Sequence, residues 1–369
     1  MKAIVRPATS LLLGWMLTLG YALPASSQQG RDQVILLIPA FEGPDALGLN
    51  VATVLNLKLF STLRKAPWPN PKKLSFGDGK IVWDPAPMRQ ASHESALEAA
   101  RTSSYPTQLV MWGKAAQYAG GIFVQAYLTL PVLDNSQGAR PEVWQLRFRN
   151  RSGETTLETD IPGHRYTFEP IVLDNETVNL YSSPSALKIY RDKSLREEIG
   201  TLSGGYFKAA EHSPDGEWLA EPMKGWVPLP RLAQQSGEIV EFAGAVVRIF
   251  RSDWDGATDL LRKVLKHPST PTAIRIDALL YLGLAAEKLQ RSGRKEIEQA
   301  YALNPLSQTS ATYLIMNAFA DYLRAPPANR PAAINRVGVL LQQNRFLFAA
   351  DDAWLRAADS IYHRIKGGG

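Results

Sequence analysis

The sequence predicts an α+β multidomain protein with an α/β layer at the N-terminal side, a small β-barrel in the middle and a C-terminal domain of α-helical repeats. Three observations lead there. An unbroken apolar run opens an alternation of strand-like and helix-like segments within residues 28–140. Short strand-like runs bounded by Gly, Pro and Ser fill residues 141–235. From Glu238 onward, within residues 236–369, the hydrophobic period changes from two to near 3.6.

Residues 1–27 stand apart from these three. Lys2 and Arg6 precede the apolar run LLLGWMLTLGYAL, Leu11 to Leu23, and the small-residue stretch ALPASS follows it. A basic flank, a short hydrophobic core and a small-residue exit read as a secretory signal peptide, with cleavage near Ala25 or Ser27. The chain is then secreted, and periplasmic in a bacterial cell. An uncleaved anchor is the alternative, but the run is shorter than the ~20 residues that cross a bilayer. The chain has no cysteine, which excludes a lipoprotein anchor, a disulfide framework and a thiolate metal site. No later apolar run approaches spanning length, so the mature chain is expected to have no membrane span. Without Lys2 and Arg6 the formal charge of +6 falls to +4, too modest a balance to imply nucleic acid.

The α/β layer starts at QVILLIPAF, Gln33 to Phe41, a run suited to a strand buried on both faces. A helix follows, with Leu47, Val51, Val54, Leu55, Leu59 and Leu63 at helical spacing until Pro67 stops it. KIVWD, Lys80 to Asp84, is a short strand. SHESALEAARTS is a second helix with Ser92 and Ser95 as candidate caps. QLVMWGKAAQYAG and GIFVQAYLTLP then alternate about a Gly120-Gly121 junction and predict a strand pair. The order is β-α-β-α-β-β.

That order, with IPAFEG near its start and LVMWGKAAQY followed by GGIFVQAYL near its end, resembles the amino-terminal domain of TolB and related periplasmic proteins. The resemblance covers about 100 residues and implies a module that contacts partner proteins and performs no chemistry. An unrelated small α/β layer satisfies the same residues.

In the middle region, WQLRFRN, ETTLETD and YTFEP are short alternating segments that can extend either neighbour. Beyond them, ALKIY, REEIGTL, YFKAAEH, GEWLAE and GWVPLP are separated by turn residues. Closure of such short strands into a barrel is an economical way to hide their edges. SSPSALKIYRD, GEWL and the terminal Gly225-Trp226-Val227 resemble bacterial Src-homology-3-like domains over Tyr181 to Pro230. The aromatic cluster that precedes the first strand in that family is missing here. The resemblance implies binding of cell-wall peptides or packing against a neighbouring domain. Two readings of the aromatics stay open: Trp218 and Trp226 as core residues, each removing ~200 Å² from water, or Tyr206, Trp218 and Trp226 lining a peptide groove.

In the helical region, Ile239, Phe242, Ala243, Val246, Ile249 and Phe250 share one face, and Ala257, Leu260, Leu261, Val264 and Leu265 repeat the pattern after SDWDG. Leu279, Leu282, Gly283, Ala286 and Leu289 then pair with Ile297, Ala300 and Leu303. Further stripes run through Ala311, Leu314, Ala318 and Tyr322, through Ile334, Val337 and Leu341, and through Trp354, Ala358 and Ile361, so three helix pairs are expected. DWDGATDLL, YLGLAAEKL and QAYALNP resemble tetratricopeptide repeats, in which a small residue such as Ala257 or Gly283 lets two helices approach. Pro268 and Pro305 are 37 residues apart, near the ~34-residue repeat period. Stacked pairs leave a concave face that takes a protein or peptide; a plain helical bundle is the alternative. Arg248, Arg251, Arg262 and Lys266 form a candidate positive strip for an acidic partner, though such runs are commonly solvated helix faces.

No catalytic or metal-ligating pattern emerges, and no cofactor is expected. His93, His164, His212, His267 and His363 lack metal-ligand spacing, and His93-Glu94 lacks the second histidine of a zinc helix. FGDGK, Phe76 to Lys80, lacks the spacing and helix of a phosphate cradle. Glu197-Glu198 are adjacent and face opposite ways on a strand. Convergence of His164 and His212 with Asp215 or Glu217 is the one enzymatic arrangement left open. The reading is a non-enzymatic periplasmic adaptor that binds a protein through its helical repeats. Its rival is a protein that binds or modifies peptidoglycan through the barrel.

Overall fold

The computed structural model describes residues 34–44, 46–65, 79–88, 90–103, 107–131, 144–150, 153–175, 178, 186–192, 194, 196–203, 211–212, 218–221, 225–228 and 237–367. The signal peptide expected over residues 1–27 lies outside them, as do Tyr206, Asp215 and Glu217.

Strand β1 (Val34–Ala40) leads to helix α1 (Leu47–Lys65), β2 (Gly79–Pro87), α2 (His93–Thr102), β3 (Thr107–Tyr118) and β4 (Gly121–Thr129), in the expected order. The sheet runs β2-β1-β3-β4, with β7 (Arg165–Thr167) and β8 (Ile171–Leu173) both pairing along β4. β1 is parallel to β2 and β3, whereas β3 and β4 form an antiparallel hairpin. The apolar run of β1 is explained by burial on both faces. Val34, Leu36 and Ile38 join the core beneath α1, and Leu37 joins a smaller core with Ala96, Ala100, Val110 and Trp112 beneath α2. On α1, Val51, Val54, Leu55 and Leu59 are fully buried, as their spacing predicts. Ser92 caps α2 by accepting from the Ser95 N–H at 3.1 Å. Gly121, at φ 141°, is required on two counts, because a Cβ there would also lie 2.6 Å from the Leu173 carbonyl oxygen.

The C-terminal region is a run of helices: α3 (Gly237–Phe250), α4 (Trp254–Lys266), α5 (Thr272–Lys288), α6 (Arg294–Leu303), α7 (Gln308–Arg324), α8 (Arg330–Asn344) and α9 (Ala353–Lys366). Each packs on the next, and short connections make such neighbours antiparallel. Among the described residues there are thus three pairs and an additional helix, α9, which carries the Trp354, Ala358 and Ile361 stripe. Asp253, Ser307 and Asp352 cap α4, α7 and α9 with their side chains. A Cβ on Gly283 would lie 2.4 Å from Ile297 Cγ1, so this glycine sets the close approach of α5 and α6. Helix α5 is buried almost all round, from Ile274 to Ala285, and forms the axis of the helical half.

One continuous core joins the α/β layer to these helices. Helix α1 packs on α3. Phe242 of α3 lies edge-on to Tyr166 at 4.8 Å and to Tyr281 of α5 at 6.2 Å. Strands β5 (Trp144–Asn150) and β6 (Gly153–Thr159) pair with each other as a separate two-stranded ribbon and extend neither sheet. The ribbon lies on α7 and α9. Trp144 meets Tyr313 at 5.8 Å, Phe148 meets Phe319 at 5.3 Å, and Trp354 Nε1 donates to the Glu158 carbonyl at 2.8 Å.

The remaining strands, β9 (Ala186–Tyr190), β10 (Glu198–Ser203), β11 (Glu211–His212), β12 (Trp218–Glu221) and β13 (Gly225–Pro228), make a sheet of order β10-β9-β13-β12-β11. A closed barrel was the expectation, and this corrects it. Among the described residues no pairing joins β10 to β11, and the sheet is open. The physical reason is strand length: β11 has two residues, and β13 meets β9 through the single pair Trp226 and Tyr190.

Candidate functional site

Among the described residues, the register brings Trp218 and Trp226 to positions two apart on the same face of the paired strands β12 and β13. Trp226 sits on β13, partly buried, opposite Tyr190, and Gly225 before it leaves room for the Tyr190 carbonyl oxygen, which a Cβ would approach to 2.4 Å. Trp218 lies on β12 opposite Pro228. The expected groove residue Tyr206 is outside the described residues.

The positive strip needs a correction. Arg248 is buried, its guanidinium paired with Asp253 and its Nη2 donating to the Leu63 carbonyl at 2.8 Å. The helical pattern could not reveal this, because the Leu63 acceptor comes from the first helix of the other region. Arg251 is partly buried in the turn after α3, its backbone N–H donating to the Arg248 carbonyl at 3.0 Å. Only Arg262 and Lys266, one turn apart on α4, remain as exposed members.

The histidines are engaged locally. His93 Nδ1 lies 2.7 Å from Thr129 Oγ1, and burial, with Arg165 nearby, lowers its pKa. His267 Nε2 lies 2.8 Å from a Glu241 oxygen. His164 Nε2 lies 3.4 Å from Asp160 Oδ2, which raises its pKa, whereas His212 belongs to β11 in the other sheet. Glu197 and Glu198 each pair with a cation of their own, Arg191 at 2.7 Å and Lys188 at 3.0 Å. Among the described residues no group of three or more His, Cys, Asp or Glu side chains is arranged to hold a metal ion. No helix among them is long and apolar enough to cross a membrane.

The surface that stands out is at one end of the helical stack. Tyr301 of α6 donates through its hydroxyl to Asn344 Oδ1 of α8 at 2.8 Å, and Gln308 of α7 donates to Asp352 before α9 at 3.2 Å. These bonds bring the α6–α7 and α8–α9 connections to the same end. Each connection turns one large apolar side chain outward. Asn304 Oδ1 accepts from the Leu306 N–H at 3.2 Å, and Ser307 caps α7, so Leu306 occupies the tip of a short turn and is 72% exposed. In the sequence Arg345-Phe346-Leu347-Phe348, Phe348 stacks on Trp354 in the interior and Phe346 points out, 70% exposed. Leu303, which periodicity assigns to the core stripe, is also exposed, at the end of α6. Exposed apolar side chains scattered singly are ordinary, whereas these three lie in or next to two connections at the same end.

Ion pairs brace the same helices toward the opposite end of α7. Glu287 of α5 accepts from Arg324 of α7, which also reaches Asp321 at 2.8 Å. Arg336 of α8 then bridges Asp321 and Glu298 of α6, both at 2.9 Å, and Arg294 closes on Glu298 at 2.8 Å. Exposed ion pairs are weak singly, but a network across four helices restrains their relative movement. The signal for the apolar tip was present in the sequence as Leu306 after Asn304-Pro305, in a turn where polar residues are the rule.

A second apolar surface lies on the outer face of the sheet, where Phe123 of β4 and Val172 of β8 are cross-strand partners and both are exposed. Tyr118 belongs to the same face of β3.

Comparison with family models, curated proteins and solved structures finds no match to this chain.

Proposed function

We propose that the chain is a non-enzymatic, secreted scaffold of the periplasm that binds a protein partner noncovalently through its helical half. The observation that carries this reading is that Leu303, Leu306 and Phe346 are exposed in or next to two ordered connections that lie at the same end of the helical stack. A partner segment gains affinity there by covering apolar side chains that the fold leaves in water, at no cost in refolding, because the turns are already ordered by their own hydrogen bonds. In this reading the helices act as a tetratricopeptide-like platform and the α/β layer as a TolB-like contact module.

The test is site-specific photo-crosslinking from position 303 in the native envelope, in the otherwise wild-type chain and in a Leu306→Asp/Phe346→Asp variant. One discrete adduct that disappears from a crosslinker at position 303 when 306 and 346 are charged supports the reading. Unchanged adducts in the charged variant, with its fold intact, reject it.

Peptidoglycan binding through the five-stranded sheet is the second reading, favoured by the partial exposure of Trp226. Co-sedimentation of the intact chain with peptidoglycan, lost in a folded Trp226→Ala variant, distinguishes it.

A further inference from the structure

The β5–β6 ribbon rests on α7 and α9, two helices that α8 contacts in common. Among the described residues no main-chain hydrogen bond joins the ribbon to another element, and its strands bond only to each other. Side chains hold it down instead. Trp144, Leu146 and Phe148 share one face of β5, where Trp144 meets Tyr313 and Phe148 meets Phe319 of α7, and Leu157 of β6 joins the same core. Two donors on α9 complete the seat: Trp354 Nε1 to the Glu158 carbonyl, and Arg364 Nη1 to Thr155 Oγ1 at 3.1 Å. On the opposite face Gln145, Arg147 and Arg149 stand in water and pair across the ribbon with Glu158 and Glu154. The ribbon is thus an amphipathic hairpin complete in itself, and such a hairpin is marginal without a surface to lie on. Its anchorage is partial, since Leu146 and Phe148 are only half-buried.

The topology makes the ribbon separable. It is inserted between β4 and β7, which pair directly with each other, and the Leu130 N–H closes the base of the insertion on the His164 carbonyl at 2.8 Å. Lifting the ribbon therefore breaks no strand pairing of the α/β sheet. It uncovers Tyr313 and Phe319, which are fully buried beneath it.

We propose that this α7–α9 face is a docking site for an extended segment of a partner protein with a large apolar side chain at every second residue, and that the ribbon occupies it in cis as a displaceable stand-in. The ribbon displays the chemistry that the face accepts. Its alternating Trp144, Leu146 and Phe148 fill the apolar part, while Trp354 and Arg364 offer donors to a carbonyl and a hydroxyl that another extended segment can present. The ribbon keeps the aromatic face out of water until a partner covers it. Tethering gives the ribbon a high effective concentration, so a partner must bind the face more tightly than the ribbon does. The inference concerns a different face from the Leu306 and Phe346 tips and does not depend on them.

Hydrogen exchange in the full chain is the first test. Amides of β5 and β6 should exchange together, about a hundredfold faster than those of β3 and β4, through an opening that leaves the sheet intact. Trp354→Phe, which keeps a ring against Phe348 but loses the donor, should increase that opening by about five- to tenfold. Ribbon exchange only through global unfolding overturns the proposal. The second test offers the chain a labelled cyclic peptide of residues 144–159. A Phe148→Ala chain has a weakened ribbon and an unchanged helical face. It should bind the wild-type peptide more tightly than the wild-type chain does, by the same factor as its ribbon opening increases. A Thr155→Cys/Arg364→Cys chain bridged by a short bis-maleimide should bind none; the natural chain has no cysteine, so the bridge forms only there. Equal binding by bridged and unbridged chains, or no binding by the Phe148→Ala chain, overturns the proposal. So does exchange of ribbons between two copies, seen as a dimer in place of peptide uptake.

Discussion

The guanidinium of Arg248 is buried against the carboxylate of Asp253, and the same carboxylate caps helix α4 by accepting from the Gly256 N–H at 3.1 Å. A second guanidinium nitrogen reaches the end of α1 through the Leu63 carbonyl. One side chain therefore ties the α/β layer to the first helix pair. Burial lowers the Arg248 pKa, and the neighbouring Asp253 opposes that shift. Gly256 is part of the arrangement, since a Cβ there would lie 2.1 Å from Arg248 Nη1.

Removing one partner should therefore cost more than removing both. Arg248→Ala leaves Asp253 buried and uncompensated and should destabilise the chain by about 3–5 kcal/mol, whereas Arg248→Met with Asp253→Asn should cost clearly less. Urea unfolding of the two variants checks this. Equal losses would mean that the pair is not energetically coupled.

Gly283→Ala should destabilise by about 1–3 kcal/mol, because the new methyl group meets Ile297 and the helices must separate. Ile297→Val in the same chain should recover part of the loss, as the smaller side chain yields space. Thermal unfolding of the single and double variants reads the coupling directly.

Global stability should depend on Asp277 in a defined pH window. Its folded pKa, about 7, lies above its ordinary value of 3.8, so the folded chain holds this proton more tightly than the unfolded chain. Its contribution is fully present below about pH 4 and is lost as pH rises through 7. Relative to the wild type, Asp277→Asn should gain stability progressively across that window, by up to about 4 kcal/mol above pH 7. His164 titrates in both chains and cancels from the difference. Unfolding free energies at pH 4.5, 6 and 8 give the comparison.

Leu306→Asp and Phe346→Asp should each change stability by no more than about 0.5 kcal/mol, since both side chains are already in water. Leu314→Asp, in the core of α7, should cost several times as much. Chemical denaturation separates the two classes. A large loss at 306 or 346 would mean that these residues pack in the folded chain and are not a free surface.

Local pattern alone determined the element types and most of the faces they bury. The apolar run of β1, the Val51, Val54, Leu55 and Leu59 stripe of α1, the Gly120-Gly121 turn and the change to helical period at Glu238 all depend on contacts with residues nearby in the chain or on one face of an element. The tertiary structure decided what those faces meet. It put α1 against α3, laid the β5–β6 ribbon on α7 and α9, left the five-stranded sheet open, and buried Arg248. The physical reason is sequence distance. The Leu63 carbonyl that satisfies Arg248 is 185 residues away, and Glu158 is 196 residues from Trp354. A periodic pattern records that a position faces inward or outward, but not whether a charged residue on it will find a partner there. The exposed tip at Leu306 and Phe346 was half visible, as apolar residues placed in turns. That the two tips lie at one end follows only from the bonds between Tyr301 and Asn344 and between Gln308 and Asp352.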